Sequence, residues 1–536
     1  MDENLADRID DLKSKWEQTF YEPVVGALDL GSNSFHFLVV RVRKDRSFQE
    51  LYSEKVMLRL GEEVARHGCF LPQSIERAVE VVAGFVKAAT LVGCQDIVAY
   101  ATAAFREAEN ASDLVDAIQE RCHVTVHVIS GHREAELIFR AVRASINLGL
   151  SPALVADLGG GSLELALGDQ GQMYFAVSLR LGVGRLISRF TQSDPMTAKE
   201  IGAVESYINT HLRPVLDRAA AYLPRKLVVC SGTFSALVRI SYLHSRGVDP
   251  LLLGKDLNGM TLEADDLFNL DKLVLSKSSA ERLKIPGIDP KRNDQLPIGY
   301  LVLKTVLRYL DVQRVEVSDW ALREGMILDY VDSLADFDFT FDEGSLRIGS
   351  LVAFLDKFGG YNDHARQVRK LSREIALSLS HSLDITRSEI ELLEFAAMVH
   401  DVGAFISSRH HDRHSAYLVE AASLRGFTLE EQRMLAALCR FHKKGSIKIE
   451  DYPLLETLPP AQIDRLAYLV AILRTADALD RSHQSLVQSC SVSVGDSKVL
   501  IEIEALGDVT LELYGLRKKG RALEEVLSKA LEVKVR

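Results

Sequence analysis

Two stretches constrain this chain more than any others: DLGSNSFHFLVV, residues 29–40, and VADLGGGSLELAL, residues 155–167. Each is an apolar run ending in Asp, a glycine-bearing turn that contains Ser, and a second apolar run. That order of elements reads as a β-hairpin. Either hairpin alone is ordinary turn geometry. Two with the same residue types in the same order point to one architectural unit used twice. Glycines leave backbone N–H groups uncovered, so a polyanion can approach such a turn closely. A carboxylate at the strand end can hold a hard divalent cation, directly or through water.

From these residue types a phosphate site can be assembled. Backbone amides of Gly31, Ser32, Asn33 and Ser34, facing those of Gly159, Gly160, Gly161 and Ser162 across a cleft between two similar domains, would grip phosphate from both sides. Ser231, Gly232 and Thr233, in CSGTFSAL (230–237), follow a strand of their own and supply a third such turn. Asp29, Asp157 and Glu164 are oxygen ligands of the kind Mg²⁺ takes. No G-x-x-x-x-G-K-[ST] occurs, which excludes a P-loop. Transfer of a phosphoryl group to water also needs a residue that orients and deprotonates the water. Glu134, just after the Ser130–Gly131 turn at the start of a helix, is the candidate. On spacing alone a plain first-turn helix acid is the favoured reading. Arg106, in ATAAFREA, is placed either to clamp a phosphate or to sit in a surface ion pair.

A chain of 536 residues exceeds what one hydrophobic core supports, and about three or four domains are expected. Leu5, Ile9, Leu12, Trp16 and Phe20 predict an amphipathic helix within residues 1–21, packed on protein rather than on membrane. Strand patterns recur at 24–30, 35–42, 97–100 and 124–129, with helical patterns at 74–92 and 111–121. A second domain starts at the hairpin near 153, and strands at 226–230 and 314–318 each run into a turn and a helix. Strands alternating with helices predict an α/β fold. ADFDFTFDEG, 335–344, reads as a linker to about 140 residues of helical pattern with His-rich joints. Near 486 strand signals return. SVSV and KVLIEIEAL pair across GDS, DVTLELYG follows, and a last helix is expected over about 520–532, giving a small α+β tail, 486–536. The formal net charge of −11 argues against a general nucleic-acid coat protein. No apolar run approaches ~18 residues, so no membrane span is expected. The six scattered cysteines form no C-x-x-C, and the N-terminus lacks a basic-then-apolar signal pattern; a reducing, cytoplasmic location is the expectation.

The motifs DLGSNSFH, ATAAFREA, SGHREAELIF, DLGGGSLEL, CSGT and SDWALREG occur in this order. Together they closely resemble the exopolyphosphatase / guanosine pentaphosphate phosphohydrolase (Ppx/GppA) family over about residues 22–330. The resemblance implies two ribonuclease-H-like domains, 22–143 and 144–335, of the actin-like, sugar-kinase-like ATPase superfamily. It implies Mg²⁺- or Mn²⁺-dependent removal of the terminal phosphate of inorganic polyphosphate, or of the 5′-terminal phosphate of pppGpp. It places the family's catalytic Glu on Glu134, its phosphate clamp on Arg106, and its phosphate turns on Gly31 to Ser34 and Gly159 to Ser162. Its Mg²⁺-associated acids fall on Asp157 and Glu164. A homodimer is a further expectation from the family. The chain departs from the pattern at His132–Arg133, where Asn or an acid is expected, and at Gly184 in LRLGVGRL, which is expected to loosen that loop. A polyphosphate or nucleotide sensor without turnover, and a kinase running toward ADP, are the alternatives outside hydrolysis.

In the helical stretch, His364 opens one helix, His400 and Asp401 end a second (FAAMVHDVGAF, 395–405), and Asp477 lies on a third (AILRTADALDRSH, 471–483). Inside a bundle these can meet around one hard divalent metal. The spacing resembles the HD-domain metal phosphohydrolases over about residues 345–485, within an HD-like domain assigned to 336–485. His410, His411, His414 and His442 can add a second metal or hold a substrate phosphate. Long members of the family carry an HD-like domain that serves as scaffold and polyphosphate channel. In that reading Arg409, Arg413, His414, Lys443 and Lys444 form a basic lining.

Overall fold

A computed structural model describes residues 22–43, 47–251, 257–334, 345–443 and 445–536. The Leu5–Phe20 stripe, the 335–344 linker and Lys444 lie outside the described residues. The chain forms two compact units, 1–349 and 350–536.

The first unit holds two mixed sheets built on one plan. In the first sheet β1 (Val24–Leu30), β2 (Ser34–Val42) and β3 (Phe48–Met57) are antiparallel neighbours, and β4 (Asp96–Ala101) and β5 (Val126–Val128) continue parallel to β1, in the order β3-β2-β1-β4-β5. The second sheet repeats this with β6 (Ala153–Leu158), β7 (Leu163–Gly168) and β8 (Met173–Leu179) antiparallel. There β9 (Lys226–Val229) lies parallel to β6 and β11 (Arg314–Val317) parallel to β9, with β10 (Thr261–Glu263) antiparallel at the edge.

Period-two alternation explains why the strands of the first hairpin are apolar at nearly every position. Leu28, Leu30, Phe35, Phe37 and Val39 enter one core, against the helices Pro72–Leu91 and Ala111–Cys122. Ala27, Leu38, Val40 and Val42 enter another. That second core is common to both sheets. It takes Val155, Ala166 and Val228 from the second sheet, Leu137 and Val142 from helix Gly131–Ser145, and Met326 and Val331 from helix Leu322–Ser333. In chain order the helices that matter below are α1 (Ala103–Glu107), α2 (Gly131–Ser145), α3 (Val183–Phe190), α4 (Gly232–Arg246) and α5 (Leu322–Ser333). The first sheet leads into α2, yet α2 packs on β7 and β8; the second leads into α5, yet α5 packs on β1 and α2. Each sheet thus sends one helix to the other, and α2 carries Glu134 to the second hairpin.

The second unit contains helices α6 (Asp363–Leu379), α7 (Arg387–Val399), α8 (His411–Glu420), α9 (Leu429–Phe441) and α10 (Pro460–Ala478). Asn362, Thr386 and Thr428 cap the starts of α6, α7 and α9 through side-chain oxygens, as helix starts prefer. Strands β12 (Val487–Val494) and β13 (Lys498–Ala505) pair antiparallel across residues 495–497. The tail beyond them departs from the expected pattern. TLELYG, 510–515, opens α11 (Thr510–Lys519) instead of a strand, because Glu512, Gly515 and Leu516 are buried at helical spacing and Asp508 accepts from the Thr510 N–H. The expected last helix stops at Leu527, where Ser528 turns left-handed, and β14 (Ala530–Val535) adds to β13 in parallel. Among the described residues no helix is long and apolar enough to cross a membrane, and the six cysteines are free thiols.

Candidate active site

Strand register sets the acids. In the first hairpin Asp29 lies opposite His36; in the second Asp157 lies opposite Glu164, so two carboxylates share one end of one hairpin. The turns that follow these strands meet. A methyl group on Gly160 would lie 2.5 Å from Asn33 Cγ, and one on Gly161 would lie 2.7 Å from Ser32 Oγ. The turns therefore face each other, in contact at their tips rather than across an open cleft. Gly182 sits against the second turn from behind; a methyl there would be 2.2 Å from the Gly161 carbonyl carbon and 2.3 Å from the Ser162 nitrogen. Val183 N–H donates to Gly159 O at 2.9 Å and Gly184 N–H to Gly160 O at 3.0 Å. The LRLGVGRL loop, expected to be loosened by Gly184, is instead pinned to the turn at the start of α3.

Several turn hydroxyls are already used in building the site. Ser32 Oγ accepts from Ala104 N–H at 3.1 Å, and Ser34 Oγ bonds His36 Nε2 at 2.8 Å. Ser231 caps α4, and Thr233 Oγ1 donates to Gln295 Oε1 at 3.2 Å. Gly232 lies under the Arg292 guanidinium, with the space a methyl would need already filled.

Ser130 caps α2 by accepting from Arg133 N–H at 3.1 Å, which puts Glu134 in the first turn. Glu134 is only 6% exposed. Its Oε2 accepts from Arg106 Nη1 at 2.8 Å, and the same nitrogen donates to Ile129 O at 3.0 Å. The pair is thus partly buried, with Glu134 inside and Arg106 at its margin, rather than a surface ion pair. His132 and Arg133 are held by other acids, His132 by Glu136 at 3.0 Å and Arg133 by Asp329 at 2.6 Å.

Four carboxylates, Asp29, Glu134, Asp157 and Glu164, therefore share a small volume. Burial, and then the charge of Glu134, push Asp29 and Asp157 up to about 7. The same causes raise Glu164 well above the usual carboxylate range, although Ser178 Oγ donates to its Oε1 at 2.7 Å. Burial raises Glu134 too, against the pull of Arg106. An all-oxygen set that repels itself this strongly fits a hard divalent cation.

Three cations beside it were not assigned from sequence: Lys55 on β3, Arg292, and Arg323 at the start of α5. Arg323 and Lys55 draw both Asp29 and Asp157 down. Burial, then the charges of Arg292 and Arg323, lower Lys55 to about 8. Burial and then the three cations hold His36 neutral, pushed down to about 2. Arg323 lies inside the SDWALREG motif and His36 inside DLGSNSFH; Lys55 and Arg292 carry no local signal.

The Ppx/GppA phosphatase family matches residues 38–334, more than half of the chain. The chain belongs to the Ppx/GppA phosphatase family. Domain III of the Ppx/GppA phosphatases matches residues 346–513. The chain is 32% identical over 313 residues to exopolyphosphatase 1 of Mycobacterium tuberculosis, covering 58% of this chain and 89% of that one. It is 25% identical over 484 residues to the guanosine-5′-triphosphate,3′-diphosphate pyrophosphatase of Vibrio vulnificus, covering 90% and 92%. The crystal structure of an exopolyphosphatase from Cytophaga hutchinsonii aligns with a TM-score of 0.54 at 28% identity, over 59% of this chain and all of that one. The Ppx/GppA family member of Aquifex aeolicus aligns with a TM-score of 0.51 at 22% identity, over 58% and 99%, a likeness of fold.

In Ppx/GppA domain III the predicted residues also converge. His364 Nε2 lies 3.9 Å from Asp401 Oδ2 and 3.7 Å from Asp477 Oδ1. The His400 ring centre is 5.3 Å from that of His364. Lys519 pairs with the other Asp477 oxygen. His411 and His442 join the cluster through Asp401, whereas Arg409, His410 and Arg413 stay exposed.

Proposed function

We propose that this protein is an exopolyphosphatase, a Mg²⁺-dependent hydrolase that releases the terminal orthophosphate of inorganic polyphosphate. As a Ppx/GppA phosphatase it is a hydrolase acting on phosphoric anhydrides. The observation that carries the reading is the meeting of both glycine turns at one place with the buried Glu134, paired to Arg106, and three further acids. The strand plan used twice supports two ribonuclease-H-like domains of the actin and sugar-kinase type.

Asp29, Asp157 and Glu164 would hold Mg²⁺, which offsets negative charge on the phosphate oxygens. The chain's own residues do the rest. Amides of the paired turns receive the oxygens of the chain end. Arg106 fixes the Glu134 carboxylate through Nη1, leaving its remaining guanidinium nitrogens for a phosphate oxygen. Glu134 orients a water for in-line attack on the terminal phosphorus and takes its proton, while the bond from that phosphorus to the bridging oxygen breaks and the oxygen leaves as the new end of the shortened chain. Lys55, Arg292 and Arg323 offer charge to the phosphates that follow the terminal one.

The second reading is hydrolysis of the 5′-terminal phosphate of pppGpp. It is favoured by the Vibrio vulnificus relative, which aligns through domain III, whereas the mycobacterial relative covers 58% of this chain. Both substrates present a terminal anhydride to the same turns. With purified protein, Mg²⁺ titrated against EDTA and the two substrates in direct competition, polyphosphate is expected to give the larger kcat/KM, with release lost in EDTA. A larger kcat/KM for pppGpp would reverse the order of the two readings. Binding without release at any Mg²⁺ or Mn²⁺ level would mark a sensor instead.

A further inference from the structure

We propose that domain III binds two first-row transition-metal ions bridged by the carboxylate of Asp401. Two sets of ligand atoms, each gathered within 4.8 Å, share this one residue: His364, His400 and Asp401 form one, and Asp401, His411 and His442 the other. The two carboxylate oxygens face different sets. Oδ1 lies 3.0 Å from His411 Nε2 and 3.6 Å from His442 Nε2, while Oδ2 lies 3.9 Å from His364 Nε2.

The imidazoles are oriented from behind, as metal-ligating histidines are. His364 Nδ1 bonds Asp480 Oδ2 at 2.8 Å, a carboxylate that is itself fully buried. His400 Nδ1 bonds Ala397 O at 2.8 Å, His411 Nδ1 bonds Ser408 O at 3.1 Å, and His442 Nδ1 bonds Cys439 O at 2.7 Å. A carbonyl or carboxylate acceptor fixes the proton on Nδ1 and turns the Nε2 lone pair inward. His364 is 5% exposed and His400 is 0% exposed, and neither Nε2 has a hydrogen-bond partner. A buried nitrogen acceptor left this way is costly unless something fills the space before it. His411 Nε2 and His442 Nε2 lie 3.1 Å apart; with both protons on Nδ1 their lone pairs would face each other, an arrangement that needs a cation or a proton between them.

An imidazole-rich set suits iron, cobalt, nickel or zinc rather than the hard Mg²⁺ expected at the all-oxygen site of the first unit. Of the four histidines read from sequence as able to add a second metal, His411 and His442 are the two that reach an Asp401 oxygen of their own. Asp477 keeps one oxygen for the first ion, its other being held by Lys519. The inference is independent of which anhydride the first unit hydrolyses.

The test is Co²⁺ titration of the full chain with Mg²⁺ in large excess, reading bound metal per chain, visible absorption and electron paramagnetic resonance. The expected result is two Co²⁺ per chain with exchange-coupled spins. In His411→Gln and in His442→Gln the count is expected to fall to one, with an uncoupled signal; Asp401→Asn should abolish the coupling. Melting curves establish that each variant is folded, and the wild-type count decides even if one is not. No Co²⁺ bound, or one ion whose count His411 and His442 do not affect, would overturn the proposal. The close contacts would then be those of a protonated His411.

Discussion

Glu134→Gln is expected to slow orthophosphate release by about a thousandfold, the scale of losing a positioned general base. The change keeps the shape of the side chain and an oxygen that can accept from Arg106 Nη1, so the geometry at the start of α2 should persist. It also removes one of four mutually repelling carboxylates. The pressure that raises Asp29, Asp157 and Glu164 is thereby reduced, and the variant should melt no lower than wild type. Binding of polyphosphate should be retained, since the turns and the three cations are untouched. Initial rates of phosphate release, alongside equilibrium binding of a labelled chain, measure both halves. A variant that turns over near the wild-type rate would remove Glu134 from the reaction.

Gly182→Ala is expected to be among the most damaging single methyl groups in the first unit. Its Cβ would lie 2.2 Å from the Gly161 carbonyl carbon and 2.3 Å from the Ser162 nitrogen, closer than real Cβ contacts come. Both neighbours are backbone of the second turn, so no flexible side chain can move aside. Overpacking of this kind costs about 3 kcal/mol. The displaced turn should also lower kcat, because a shift of about 1 Å at a positioning element can cost on the order of a hundredfold. The control is Gly202→Ala, in the helix Ala198–Ala220, where a methyl meets nothing within 4 Å. That change should be neutral or slightly stabilising. Thermal melts and rates of both variants test the contact. Equal melting points for Gly182→Ala and wild type would mean that the loop and the turn do not touch.

What the sequence disclosed follows the range of the forces involved. The two hairpins were legible because apolar alternation and turn glycines are local, and their registers put Asp157 beside Glu164 with no further information. The exchange of α2 and α5 between the sheets was not legible, because it depends on which buried faces meet, those of α5 and β1 lying at opposite ends of the first unit's sequence. Lys55 and Arg292 were missed for the same reason: a lone Lys on an edge strand and an Arg in a loop look like solvated surface until the fold brings them beside Asp29 and Gly232. In the tail, TLELY alternates in the period of a strand, and the helix shows only in the fold, where Glu512 is buried with Gly515 and Leu516 and accepts from the Ser482 N–H at 2.9 Å. In domain III, RHHDRH offers three histidines, and it is the start of α8 that aims His411 alone at Asp401.

Isotope tracing in ¹⁸O-labelled water examines the site most directly. Purified wild type with Mg²⁺ and polyphosphate should place one heavy oxygen in each orthophosphate released and none in the shortened chain. Label found in the chain, or no release from either polyphosphate or pppGpp, would contradict attack by a Glu134-held water on the terminal phosphorus.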